Sequence, residues 1–183
     1  FEQREKAEHD LFVQRAAESD RLRALFEQSH GFMCILRGPT HIFEFANAAY
    51  ARLVGDRPLI GKTVREALPD IAGQGFYELL DKVYRQGVTF KTVDALVSLR
   101  RSAGSEPTDA YIDLVYHPIM VAGAVTGIFV QGFDATERTV ARQALQHSEM
   151  RLKEGMKAAG MAVWDWDLAT DHVTFSDNAP ELF

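Results

Sequence analysis

The chain has 183 residues, 46% of them hydrophobic and 25% charged, with a net charge of −6. That balance suits a globular core with extensions. It excludes a basic nucleic-acid footprint, which needs Lys and Arg gathered on one face, and no apolar run reaches the ~20 residues that span a bilayer. The one cysteine, Cys34, excludes an internal disulfide and a cysteine-cluster metal site, and a reducing, cytoplasmic location is expected.

Residues 2–28 lack Gly and Pro and are rich in Glu, Gln, Arg, Ala and Leu, which predicts a helix. At about 100° per residue, Leu11, Phe12, Leu22, Leu25 and Phe26 share one broad arc, interrupted by Glu8 and Glu18. Two compatible readings stand: a helix packed on the next domain, and a parallel coiled coil in a dimer. Gly31 ends the helix. Apolar runs at 32–36 and 42–45, separated by Arg37-Gly38-Pro39-Thr40, predict a hairpin. Asn47 is placed to cap a short helix at 48–54, stopped by Gly55. Pro and Gly break 58–70 into short turns. Phe76, Leu79, Leu80, Val83 and Tyr84 form the apolar stripe of a helix over 76–85, closed by Gly87.

Three strands are expected at 90–100, 110–121 and 124–133. A polar loop precedes the second, and Ala122-Gly123 makes the tight connection to the third. In the middle strand Tyr111, Asp113, Val115 and His117 point one way, and Ile112, Leu114 and Tyr116 the other. Asp134 then reads as the N-cap of a second long helix, with Glu137 three residues on as in a capping box. Its 4-3 spaced positions, Ala141, Leu145, Ser148, Leu152 and Gly155, form a weak seam. After Gly160 the pattern restarts: strand 161–168, turn 169–172, strand 173–175, then Asp177-Asn178 as a helix start. This repeats the element order of 32–53 at an offset of about 130 residues, which signals domain duplication.

Phe45-Ala46-Asn47-Ala48-Ala49-Tyr50 followed by Leu53-Val54-Gly55 resembles the Asn-x-x-(aromatic)…Gly signature of PAS domains. Gly61-Lys62-Thr63-Val64-Arg65 with Leu68-Pro69 resembles the segment that follows it there. Phe133-Asp134-Ala135-Thr136-Glu137-Arg138 resembles the Asp-x-Thr-Glu-Arg ending that leads into an output helix. Gly160-Met161-Ala162-Val163-Trp164-Asp165-Trp166-Asp167 resembles the opening of another PAS subtype. The resemblance covers residues 25–137 fully and 150–183 in part, and is closest to PAS domains of bacterial sensor histidine kinases.

That resemblance implies an α+β PAS fold: a five-stranded antiparallel sheet with helices on one face, flanked by long N- and C-terminal helices. It divides the chain into a signalling or coiled-coil helix (1–29), a PAS domain (30–134), a linker helix (135–159) and the truncated beginning of a second PAS domain (160–183). A sensory, regulatory role in a two-component signalling protein follows from it. The catalytic domain, and any membrane anchor, are expected elsewhere in a longer chain; this fragment is read as no enzyme, and no nucleic acid is expected as a partner. A homodimer is expected through Leu11, Phe12, Leu22, Leu25, Phe26, Leu145 and Leu152. The signal junction is expected at Asp134, Thr136, Glu137 and Arg138.

A PAS core encloses a space suited to a small molecule. The candidate lining is Met33, Ile35, Phe45, Asn47, Tyr50, Phe76, Leu80, Tyr84, Leu114, Phe129 and Gln131. The same residues also read as a packed core, Asn47 as a helix cap, and Gln131 as facing solvent or a partner. The cofactor is left unknown. Flavin-binding light sensors of this superfamily carry a Cys before the longer helix, where this chain has Pro69-Asp70-Ile71-Ala72-Gly73-Gln74-Gly75. They also carry Gln two residues before the terminal Asp, where this chain has Gly132. Haem-binding relatives need a His on the longer helix, and 75–86 holds none. Neither cofactor is expected, nor is a metal, since His30, His41 and His117 are isolated. His147 lacks the setting of a phosphorylated histidine, and no nucleophile or phosphate-binding motif is present. A constitutive dimerisation or spacer module without ligand is the alternative reading.

Overall fold

In a computed structural model, residues 18, 21, 23–101 and 105–175 are described. The chain divides into two compact units, Phe1–Thr136 and Glu137–Phe183. The first is built on strands β1 (Phe32–Arg37), β2 (Ile42–Ala46), β3 (Phe90–Leu99), β4 (Thr108–Val121) and β5 (Ala124–Asp134). They form one antiparallel sheet in the order β2-β1-β5-β4-β3. Between β2 and β3 lie helices α1 (Ala48–Val54), α2 (Val64–Ala67) and α3 (Phe76–Gln86), with a 3-10 turn at Pro69–Ile71.

Local chemistry sets these boundaries. The Asn47 side chain caps α1 by accepting the Tyr50 N–H. Thr63 and Glu66 close a reciprocal capping box on α2. Ala122 and Gly123, both at positive φ, make the turn between β4 and β5. The core gathers Phe32, Cys34 and Leu36 of β1, Phe43 of β2, Ile112, Leu114 and Tyr116 of β4, Ile128 and Val130 of β5, and Leu80 and Val83 of α3. The stripe expected on α3 is thus the buried one. Tyr77 joins it, its hydroxyl donating to the Leu68 carbonyl at 2.6 Å.

His41, expected as an isolated turn or surface residue, does sit in the β1–β2 turn but is buried. Its Nε2 lies 2.8 Å from Asp81 of α3 and its ring meets Tyr84 edge-on.

The second unit contains the rest of α4 (Thr136–Ala158) and a hairpin of β6 (Trp164–Asp167) and β7 (His172–Phe175). Helix α4 starts two residues after Asp134, which itself still pairs with Ile112 in the sheet. Asp134 is therefore not the N-cap. Its carboxylate nevertheless accepts the N–H of Thr136, the first residue of α4, at 3.0 Å, an Asx-type turn that satisfies one donor of the helix's first turn. Ladder pairing continues through residue 134, so the cap position falls one residue later. Residues 23–27 are helical. Leu25 is exposed and Phe26 is half-buried, while Leu11, Phe12, Leu22 and the helix start at Asp177-Asn178 lie outside the described residues. No described helix is long and apolar enough to cross a membrane.

Candidate functional site

Side chains alternate across a strand, so the buried set Phe32, Cys34 and Leu36 forces Met33 and Ile35 to the other face. On β5, Ile128 and Val130 face in, leaving Phe129 and Gln131 outside. A bulge in β2 opposite Ile35 and Leu36 turns Phe45 outward beside Ile35. Five of the expected lining residues, Met33, Ile35, Phe45, Phe129 and Gln131, therefore stand on the face away from the helices. Both faces of these strands are apolar, so alternation alone does not say which one meets the core. The outer face has an occupant: the Phe26 ring packs at 6.1 Å from both Phe45 and Phe129.

The inner face meets α1 and α3 around a cavity of about 50 Å³, lined among others by Phe32, Tyr50, Phe76, Ile112, Leu114, Tyr116 and Val130. A liquid water occupies ~30 Å³, so this space suits one or two small molecules of that size. Tyr50, Phe76 and Leu114 line it; Leu80 packs in the surrounding core, and Tyr84 is only partly buried beside it. Its polar groups are the Tyr50 and Tyr116 hydroxyls, with the Cys34 thiol bonded to Tyr50. Burial pushes all three far above their ordinary pKa values, so the interior carries no charge. Tyr116 lines the cavity but is not in the expected set, although its inward position beside Ile112 and Leu114 on β4 is the signal for it.

Asn47 does not reach into the cavity. Its Oδ1 accepts from Met33 N at 2.9 Å and Tyr50 N at 3.0 Å, and its Nδ2 donates to Phe26 O at 3.1 Å and Gly31 O at 2.9 Å. One fully satisfied amide thus joins the end of the N-terminal helix, the start of β1 and the cap of α1.

Two open clefts flank the core. One, of about 660 Å³, lies beside an ion pair of Arg57 and Asp70 at 2.8 Å. Arg57 also donates to the Ala67 and Arg100 carbonyls, and Asp70 accepts the Arg100 N–H at 2.8 Å. Burial acts to raise the Asp70 carboxyl, but the Arg57 and Arg100 hydrogen bonds outweigh it and hold the group below the usual carboxylate range. The other cleft, of about 420 Å³, crosses the outer sheet face between Met33, Lys91, Asp113, Gln131 and Phe133. Gln131 approaches His117 Nε2 at 3.5 Å, and the His117 ring stacks on Phe129.

At the end of β5 the chain is held on both sides by Tyr111 of β4. Ala135 N donates to the Tyr111 carbonyl at 2.8 Å, and Tyr111 N donates to the Thr136 hydroxyl at 3.0 Å. Thr136 and Asp134 thus sit together at this junction. Glu137 and Arg138 are exposed on the first turn of α4. The part of Tyr111 was not expected. Its outward placement in β4, one residue before the inward Ile112, was the available signal. Leu145 and Leu152 lie exposed on α4.

Solved structures share this fold. An RNA-binding light-oxygen-voltage receptor aligns with a TM-score of 0.57 and 17% identity over 77% of this chain and 39% of its own. The Vibrio cholerae VqmA dimer gives 0.52 and 21% over 64% of this chain and 52% of its own. A Rhodobacter sphaeroides LOV protein gives 0.50 and 19% over 70% and 76%. The chain thus spans about two fifths to half the length of the first two. At such identities these likenesses establish the fold alone. The PAS fold family model matches residues 26–140, which takes in the five strands, the three short helices and the Asp134–Thr136 junction, and the chain belongs to that family.

Proposed function

We propose that this PAS sensory domain is the regulatory module of a multidomain signalling protein of the sensor-histidine-kinase type, acting in a homodimer and passing its state to α4. The supporting observation is the junction. Strand β5 passes into α4 with one intervening residue, and the Tyr111 backbone bonds that residue and Thr136. A shift of β4 against β5 is therefore felt at the first turn of α4. The coupling required is modest, about 1–3 kcal/mol, and repacking of one helix face supplies it. Residues from 160 onward are read as the opening of a second PAS domain, to which α4 is the linker.

Single-residue insertions between residues 140 and 155 of the full-length protein test the relay. Output is expected to vary with helical phase, recovering after a whole turn of insertions; output indifferent to phase defeats the reading. The small, uncharged interior favours a second reading, a spacer and dimerisation module without ligand. Native mass spectrometry separates the two, since a retained neutral small molecule speaks for sensing and a ligand-free dimer for the spacer.

A further inference from the structure

The β6–β7 hairpin repeats the β1–β2 hairpin residue for residue near its turn. In the first, Leu36 pairs with Phe43 and Arg37 with Ile42 across a four-residue turn; in the second, Trp166 pairs with Val173 and Asp167 with His172 across a turn of the same length. The last turn residue has positive φ in both, His41 at 56° and Asp171 at 53°. Cys34, Leu36 and Phe43 thus correspond to Trp164, Trp166 and Val173. The second hairpin lacks the bulge, so Phe175 pairs with Trp164 and stays on the same side. One side of the hairpin is Trp164, Trp166, Val173 and Phe175. The other is Asp165, Asp167, His172 and Thr174.

The fates of the two apolar sides differ. Cys34, Leu36 and Phe43 are at most 1% exposed, whereas Trp164, Trp166, Val173 and Phe175 are 61%, 49%, 40% and 61% exposed. An isolated two-stranded hairpin with such a face is marginal in water. The Trp166 indole is nevertheless held in place, its N–H donating to Asp171 at 3.0 Å. In the first hairpin the covering element is α1, from the sequence directly after β2. Its Tyr50 ring packs edge-on against Phe32 and Phe43.

We propose that the Trp164, Trp166, Val173 and Phe175 face is the floor of a second core, covered by the segment from Ser176 onward together with its native continuation. The proposal rests on reading residues from 160 as the opening of a second domain. The sequence after β7 favours this occupant over another protein. Ser176-Asp177-Asn178 again sets helix-capping side chains directly after the second strand, as Asn47 does after β2.

Trp164 and Trp166 are the two tryptophans of residues 1–183, so indole fluorescence reads this face there, and in the longer protein the difference from its W164F/W166F variant reads it. Residues 1–183 are compared with the protein carrying its native continuation. The shorter chain is expected to emit as solvent-exposed indole, to be quenched freely by acrylamide, and to be unchanged by dilution. The longer chain is expected to emit at shorter wavelength, with quenching reduced severalfold and amide exchange slowed at 164–167 and 172–175. Solvent-type emission with unprotected amides in the longer chain overturns the proposal. Buried-type emission in residues 1–183 that turns to solvent-type on dilution assigns the face to a second copy and overturns it too. The helix-phase experiment does not read the tryptophans, so this proposal and the relay can fail separately.

Discussion

Two residues do more than their type suggests. Asn47 satisfies four backbone groups from three elements, and truncation leaves the Gly31 carbonyl and the Met33 N–H without the partners it supplies. Asn47→Ala is expected to lower stability by about 2–4 kcal/mol, a lost cap plus buried unsatisfied groups, read as a lower urea midpoint. Asp70 is held ionised by Arg57 and the Arg100 N–H. A carboxyl depressed in the folded state stabilises it above the unfolded-state pKa, and that contribution is lost as pH falls through the folded one. Asp70→Asn is therefore expected to be most destabilising near neutral pH, with the gap from the native protein closing in acid. Urea midpoints across pH check this, and a constant gap refutes it. The capping role of Asn47 is legible in the sequence, because Asn before a short apolar helix has a local reason to be there. The Asp70 latch is not legible, since its partners are 13 and 30 residues away.

At the scale of elements, the junction depends on a hydroxyl. Thr136→Val keeps the shape and removes the acceptor of the Tyr111 N–H. A loss of about 1 kcal/mol is expected, with faster amide exchange at Tyr111 and Ala135 and little change at the buried Ile128. Equal acceleration at all three would show a global effect instead. Gly132 has a different constraint. A Cβ there would lie 2.1 Å from the Asp113 carbonyl oxygen and 2.4 Å from the Phe32 ring. The glutamine that flavin-binding relatives carry at this position thus has no room, and Gly132→Gln is expected to destabilise the domain by about 1–3 kcal/mol or more. A gain in stability on thermal unfolding would contradict the packing described. The helices and the three long strands are legible because period and punctuation are local. The inward face of β1 and β5 is not, because Met33 and Ile35 are as apolar as Phe32 and Cys34.

For the molecule as a whole, the interior of the first unit is close-packed around an uncharged cavity, and its resistance to unfolding rests on that packing. Leu80→Ala opens space where Leu80 is 2% exposed and is expected to cost about 2–5 kcal/mol, measured by urea unfolding of the sheet. Element order, the PAS signature around Asn47, the junction sequence after Phe133 and the restart after Gly160 all follow from residue order, because propensity, capping and periodicity act over a few neighbours. Which residues surround the cavity, how small it is, and that Phe26 lies on the far side of the sheet depend on contacts between distant segments. A bulge in β2 and ladder pairing that persists to Asp134 shift side chains by one position, and a one-residue shift in a strand exchanges inside for outside. The sequence by itself therefore determined the elements and the family, while only the tertiary structure decided which face of each strand became the interior.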